Sequence, residues 1–197
     1  MAHSLIYDFE TLSQDGIDGA IVSLAALKFD DRRFVKNPYE YDELLNDVYE
    51  LKFDIEDQVK NHNRKIQKST LEWWKKQDKA AIEKLKPSPD DLSIEVIYDF
   101  MTKEMDIANA WRVYTRGNSF DPVFFASVCK HFGHEDPTKW WNIRDTRSLF
   151  DGMTWGYNIS NKFIPEEYKD RFVAHDPAHD IVMDVIRFQT LVRSLSE

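Results

Sequence analysis

Apolar residues gather first in Leu5-Ile6-Tyr7 and again, after the turn-forming pairs Asp15-Gly16 and Asp18-Gly19, over residues 21–29. This pattern predicts a strand over 4–9 and a second over 21–29, the second apolar enough to be buried on both faces. A charged turn, Asp30-Asp31-Arg32-Arg33, follows, and Phe34-Val35 is expected to start a third strand. Polar and apolar positions mix over 39–53, with an edge strand expected around 48–53, so that the first strands form a meander. From 54 to 105 the period changes to helical. Ser69-Thr70-Leu71-Glu72 has the form of a capping box, Pro87-Ser88-Pro89 interrupts the pattern, and Ile94, Ile97, Tyr98 and Met101 recur at helical spacing. Trp111-Arg112-Val113-Tyr114-Thr115 predicts a central strand running through a turn into a helix over 122–132, with Asp121 as N-cap and Pro122 at the first helical position. Residues 140–147 predict a short strand entering a helix, and 152–172 a loop with a short helix near 166–168. Residues 181–195 predict a long helix whose Val182, Val185, Ile186, Gln189, Leu191 and Val192 form a mostly apolar face.

At 197 residues, 42% of them hydrophobic, one folded domain over 1–197 is the simplest reading. Cys129 is the only cysteine, which excludes an intramolecular disulfide and a thiolate zinc cluster. No apolar run approaches the ~18–20 residues that span a bilayer, and no signal-peptide pattern opens the chain. No membrane partner and a cytoplasmic location are therefore expected. The net charge of −9, with 35 acidic against 26 basic residues, argues against coating nucleic acid by bulk electrostatics. It leaves room for an enzyme that grips a polyanion locally with metal ions at its site. The basic stretch 64–86 is either a solvated helix face beside buried tryptophans or a rim for a phosphate backbone.

Candidate chemistry stands at the ends of these elements. Residues i and i+2 of a strand share a face, so Asp8 and Glu10 aim together while Phe9 points into a core. Two like charges side by side are unfavourable unless a cation neutralises them, and oxygen ligands favour Mg²⁺ or Mn²⁺ over zinc. A solvated strand end with an incidental Asp-x-Glu is the alternative, and the tripeptide alone does not choose. Asp121 lies at a strand-to-helix turn, where open α/β sheets place their sites, although capping alone would account for it. Asp180 opens the last helix. His175, five residues earlier and across Pro177, stays on a loop. Four acids and a histidine are the inventory for two-metal hydrolysis of a phosphodiester, the histidine taking a proton from water at neutral pH. His179-Asp180 also suggests the metal-binding pair of the His-Asp phosphohydrolases. That all-helical arrangement needs more upstream histidines than His131 and His134 supply, and it leaves Asp8-x-Glu10 unused. His179 is then a helix-start residue packing near the site, with His3 and His62 on the surface.

Asp8-x-Glu10, Asp121 after an apolar strand, and His175-x-x-x-x-Asp180 together resemble the signature of the DEDDh 3′–5′ exonucleases. The tyrosine subclass would need Tyr where this chain has Asp176. Further blocks are similar to the exonuclease A group of T4-type phages and to RNase T-like bacterial exonucleases. They are Asp8-Phe9-Glu10-Thr11, Lys68-Ser69-Thr70-Leu71-Glu72-Trp73-Trp74, Arg116-Gly117-x-Ser119-Phe120-Asp121, Trp141-Asn142-x-Arg144-Asp145-x-Arg147 and Ala174-His175-Asp176-x-x-His179-Asp180. The resemblance implies a ribonuclease H-like α/β fold, a mixed five-stranded sheet flanked by helices on both sides. It implies two Mg²⁺ (or Mn²⁺) ions, the first on Asp8, Glu10 and Asp180 and the second bridged by Asp8, with Asp121 acting through metal-bound water and His175 as general base. It places the terminal nucleotide beside Phe9, Thr11 and Leu12, with Trp73 and Trp74 for stacking, although core packing competes for at least one of them. Arg116, Arg144 and Arg147 would reach phosphates or else pair with neighbouring acids, and Asn118 and Ser119 would shape the turn beneath Asp121. The implied partner is a single-stranded 3′ end, DNA favoured over RNA, in the host cytoplasm for a phage-encoded chain. A non-hydrolytic end-binding module on the same fold is the alternative from another class, and the intact acid set argues against it. The tryptophans at 73, 74, 140 and 141 would line a homodimer interface or the core.

Overall fold

β1 (Ser4–Thr11) lies in the middle of a five-stranded mixed sheet. The structure is a computed structural model and describes residues 3–196. β2 (Ile21–Phe29) pairs antiparallel with β1, and the edge strand β3 (Tyr49–Lys52) pairs antiparallel with β2. β4 (Arg112–Thr115) and β5 (Ile143–Asp145) continue the sheet in parallel on the other side, giving the order β3-β2-β1-β4-β5. The helices are α1 (Tyr41–Asn46), α2 (Ile55–Asn61), α3 (Lys68–Trp74), α4 (Lys79–Lys84), α5 (Val96–Asp99), α6 (Asp121–His131), α7 (Thr146–Met153) and α8 (Pro177–Ser194).

The two-residue period of β1 sorts its side chains between two cores. Leu5, Tyr7 and Phe9 pack with Phe124, Phe125 and Val128 of α6 and Ile97 of α5. Ile6 packs on the opposite face with Ala25, Leu27, Tyr114 and the α8 residues Ile181, Val182, Val185 and Ile186. Each such aliphatic side chain, taken fully out of water, contributes ~1.5–3 kcal/mol. The α8 face of β1 continues past Ile6 into Asp8 and Glu10, and so the packing that seats α8 also brings its first turn over these acids. Pairing with β2 shifts register between Glu10 and Thr11, a bulge that ends the regular ladder beside the acids.

Several local expectations are corrected. Phe34-Val35 forms no strand. A 3-10 turn, Asp31–Arg33, precedes Phe34, whose ring stacks on Phe29 and meets Phe188 edge-on. α1 falls where only mixed polarity was evident, closed at its start by reciprocal bonds between Glu40 and Glu43. The helical stretch 54–105 is broken into α2 to α5 and a π-helical turn, Phe100–Glu104. Asn63 holds a left-handed φ of 53° just past α2. α3 begins at Lys68 with Gln67 as its N-cap, so Ser69 lies inside the helix and no capping box forms. α6 likewise starts at Asp121 with Phe120 as N-cap, because the Asp121 carboxylate is turned to β1 instead. α8 starts at Pro177, where Asp176 accepts from the Ala178 N–H. His62 is not a simple surface residue, since it contacts Asp57 (3.3 Å) and His131 (3.0 Å). His3 bonds the Met105 carbonyl (3.0 Å). Within the basic stretch, Arg64 is buried and Lys65, Lys75, Lys84 and Lys86 pair with acids, which favours the solvated-face reading.

Candidate active site

A cleft of about 650 Å³ opens at the carboxyl ends of β1 and β4. Asp8 and Glu10 from β1, Asp121 from α6, Asp180 from α8 and His175 from the loop before α8 all line it. Asp121 is buried and its Oδ1 accepts from the Phe9 N–H at 3.0 Å, which ties the start of α6 to β1. Asp180 Oδ2 accepts from the His175 N–H at 3.1 Å. That bond helps hold His175 at a φ of 62°, a left-handed conformation uncommon outside glycine. Trp73 and Trp74 wall the imidazole, with ring centroids 4.7 and 6.4 Å away. Ligand atoms of Glu10, His175 and Asp180 lie within 4.8 Å of one another.

Burial and mutual repulsion make these acids poor anions by themselves. Asp8 is raised well above the usual carboxylate range by burial and then by the charges of Asp121, Glu10, Asp180 and Asp184. Glu10 is raised by burial, then by Asp180, Asp121 and Asp176. Burial pushes Asp121 up to about 7 despite the Phe9 N–H, which favours the anion. Asp180 rises to about 7 through burial and Asp184, opposed by the His175 N–H. His175 moves below its ordinary value through burial and Lys162. A crowd of carboxylates held against their own charge is a donor set that fits hard divalent cations.

The other expected residues divide. Phe9 meets the cleft at its backbone while its ring is buried in the core. Thr11 lines the cleft and donates to the Ser13 carbonyl (2.7 Å). Trp73 is exposed at the cleft wall, whereas Trp74 also lines the cleft but is buried and donates to the Thr11 carbonyl (3.0 Å). Arg116 lines the cleft but is committed to Asp184 (2.7 Å) and to Asn161. Arg147 lines the cleft beside it. Three residues are not brought to the cleft. Leu12 packs in a small core with Trp74 and Ala81. Asn118 accepts from Thr115 Oγ1 (3.2 Å) within the turn. Arg144 donates to the Trp141 and Ile143 carbonyls. Trp140 and Trp141 are exposed rather than core residues. His179 bonds the Tyr41 hydroxyl (2.7 Å), joining α8 to α1.

Asp184 was not anticipated. It is buried and accepts from Arg116 (2.7 Å), Arg187 (2.8 Å) and Thr146 Oγ1 (2.5 Å). Its one available signal is position: four residues after Asp180, it shares that residue's helix face.

The sequence pattern of the Rv2179c-like 3′–5′ exoribonuclease domain family matches residues 3–185. An exodeoxyribonuclease of Enterobacteria phage T4 is 30% identical, over 95% of this chain and 88% of its own length. Exonuclease I of E. coli in complex with an oligonucleotide superposes with a TM-score of 0.61 at 14% identity, covering 98% of this chain and 41% of that one. Exonuclease I from Methylocaldum szegediense gives a TM-score of 0.61 at 15% identity, covering 98% and 41%. The chain thus spans about two fifths of the length of these structures, and the likeness shows a shared ribonuclease H-like α/β fold. With a family pattern and a phage relative both covering most of its length, the chain belongs to the Rv2179c-like 3′–5′ exoribonuclease domain family and is a 3′–5′ exonuclease.

Proposed function

We propose that this chain, as one exonuclease domain over 1–197, removes nucleoside 5′-monophosphates from the 3′ ends of single-stranded DNA in a reaction that needs divalent cations. The observation that carries this reading is the convergence of Asp8, Glu10, Asp121 and Asp180 in one cleft with His175 at its edge. These four acids would hold two Mg²⁺ or Mn²⁺ ions. When bound, such ions stabilise charge building on the phosphate and acidify the attacking water. His175, held below its ordinary pKa by burial and then by Lys162, would accept a proton from the attacking water. Trp73 offers its exposed ring to the terminal base. Lys162 and Arg147 line the cleft and attract the strand's phosphates.

DNA is favoured because the phage relative is named an exodeoxyribonuclease. RNA is the second reading, favoured by the family's description as exoribonucleases. Discrimination depends on contacts to the 2′-hydroxyl. No helix among the described residues is long and apolar enough to cross a membrane, and we infer a cytoplasmic site of action, that of the host for a phage-encoded chain. Exposed Trp140 and Trp141 are the surface on which a homodimer would form.

The test is digestion of 5′-labelled and 3′-labelled single-stranded DNA and RNA with Mg²⁺, Mn²⁺ or EDTA. Stepwise shortening of 5′-labelled DNA, blocked by EDTA, is expected. The same ladder on RNA alone moves the assignment to RNA, and cleavage of neither favours an end-binding module.

A further inference from the structure

We propose that the loop 155–161 is a stacking platform for the single strand upstream of the bond being cleaved, an inference that rests on the exonuclease reading and extends it outward from the cleft. Trp155 is 83% exposed and Tyr157 69%, two large aromatic rings in three residues turned into water. Between and after them, Gly156 (φ 86°) and Asn158 (φ 53°) take left-handed conformations, which these two residue types tolerate best. The turn is closed by the Tyr157 N–H on the Thr154 carbonyl (3.0 Å), so the rings are displayed by an ordered bend.

The loop is joined to the cleft through α7 on one side and through Asn161 and Lys162 on the other. Before it, α7 is eight residues long, ~12 Å at helical rise, and starts beside Arg147 at the cleft wall. After it, Asn161 donates to Asp151 of α7 (2.7 Å) and accepts from Arg116 through its backbone carbonyl (3.0 Å) and its amide oxygen (3.1 Å). Lys162, the next residue, lines the cleft. Four residues separate Tyr157 from Asn161, a reach of at most ~14 Å. Tyr157 therefore lies close to Asn161 and Lys162, where the loop meets the cleft wall.

Charge favours the same occupant. The chain carries 35 acidic residues, yet 152–164 contains none and ends in Lys162, Phe163 and Ile164. A polyanion meets less repulsion along this stretch, which is bounded by Asp151 and Glu166. Aromatic faces beside a local cation are the means by which single strands are held without regard to sequence. Trp140 and Trp141 lack this placement, because they precede β5 and lie at the end of the parallel strands away from the cleft.

The test titrates the full chain in EDTA against fluorescein-labelled oligothymidylates of ~3 and ~15 nucleotides, spanning the cleft alone or the cleft and the platform. Trp155→Ala/Tyr157→Ala is expected to weaken 15-mer binding ~10–100-fold, about tenfold per lost stack, and to change 3-mer binding less than twofold. Trp155→Phe/Tyr157→Phe, which keeps both rings, should restore most of the affinity and excludes misfolding as the cause. Equal 15-mer affinity for the alanine variant and the unaltered chain would overturn the proposal, as would an equal loss on both lengths. A dimer dissociated by the alanine pair with 15-mer binding unchanged would give the patch to a second copy of the chain. Length-dependent binding without any shortening when Mn²⁺ is added would refute the hydrolytic reading and leave the platform standing.

Discussion

The ring of Trp73 stands edge-on to the imidazole of His175, with centroids 4.7 Å apart and planes crossing at 79°. Burial is the main reason His175 sits below its ordinary pKa, and Trp73 supplies one wall of that burial. Trp73→Ala readmits water, so the imidazole pKa rises toward 6.5. A base works when unprotonated, and the acidic limb of the kcat/KM profile should therefore move to higher pH. An unmoved limb would separate His175 from the role of base, or Trp73 from its shielding. His175→Ala should reduce kcat by ~10²–10⁴-fold, the usual contribution of a positioned base.

Asp8 meets more like charge than a carboxylate tolerates alone, with Asp121, Glu10, Asp180 and Asp184 all raising its pKa after burial. Asp8→Ala should abolish nucleotide release while leaving the cation-free protein folded and no less stable, since the substitution relieves this crowding. Retained activity would remove Asp8 from the site. A large fall in the EDTA-state melting temperature would show that the carboxylate is structural.

Asp184 has the opposite character, an acid fully compensated by its neighbours. Arg187, with a side chain 6% exposed, and Arg116, at 19%, both bond its Oδ1, and Thr146 bonds its Oδ2. Asp184→Ala strands buried guanidinium charge, which costs about 3–5 kcal/mol. Asp184→Asn keeps one acceptor oxygen and should cost less. Urea denaturation of both variants measures the order. Equal losses would mean that the charge of Asp184 contributes little.

Asp184 also marks where a single sequence stops being informative. The acids of β1 are legible because a two-residue period ends in Asp8-x-Glu10 and alternation assigns Phe9 to the other face, where it is found. Of the Asp184 partners, Arg187 is a local i,i+3 neighbour, but Thr146 and Arg116 lie 38 and 68 residues away, and no local pattern announces those two. Capping signals mislead for a related reason. Asp121 has the chemistry of an N-cap, but a backbone N–H from β1 claims its carboxylate. The break after α2 depends on the left-handed Asn63, a position that propensity alone does not specify. Arg144, for which phosphate contact and a neighbouring ion pair were the alternatives, bonds carbonyls of its own turn. The sheet and the acids of the cleft follow from periodicity and element ends, whereas the longer-range ion pairs beneath them follow from tertiary packing.

Asp121 and Asp180, each raised from 3.8 to about 7, make the cation-free protein depend on pH in a definite direction. Between their unfolded and folded values, roughly pH 4 to 7, the folded state binds more protons than the unfolded state. Stability therefore falls as pH rises through this window, and the cation-free protein should melt at a lower temperature at pH 8 than at pH 5.5. Divalent cations that bind the ionised cluster reverse the penalty by mass action. Added Mn²⁺ should thus raise the melting temperature at pH 8 and do little at pH 5.5, where protons compete for the same oxygens. Scanning calorimetry at the two pH values, with Mn²⁺ or EDTA, tests both slopes. A Mn²⁺ effect as large at pH 5.5 as at pH 8 would place the binding cation on groups other than these acids.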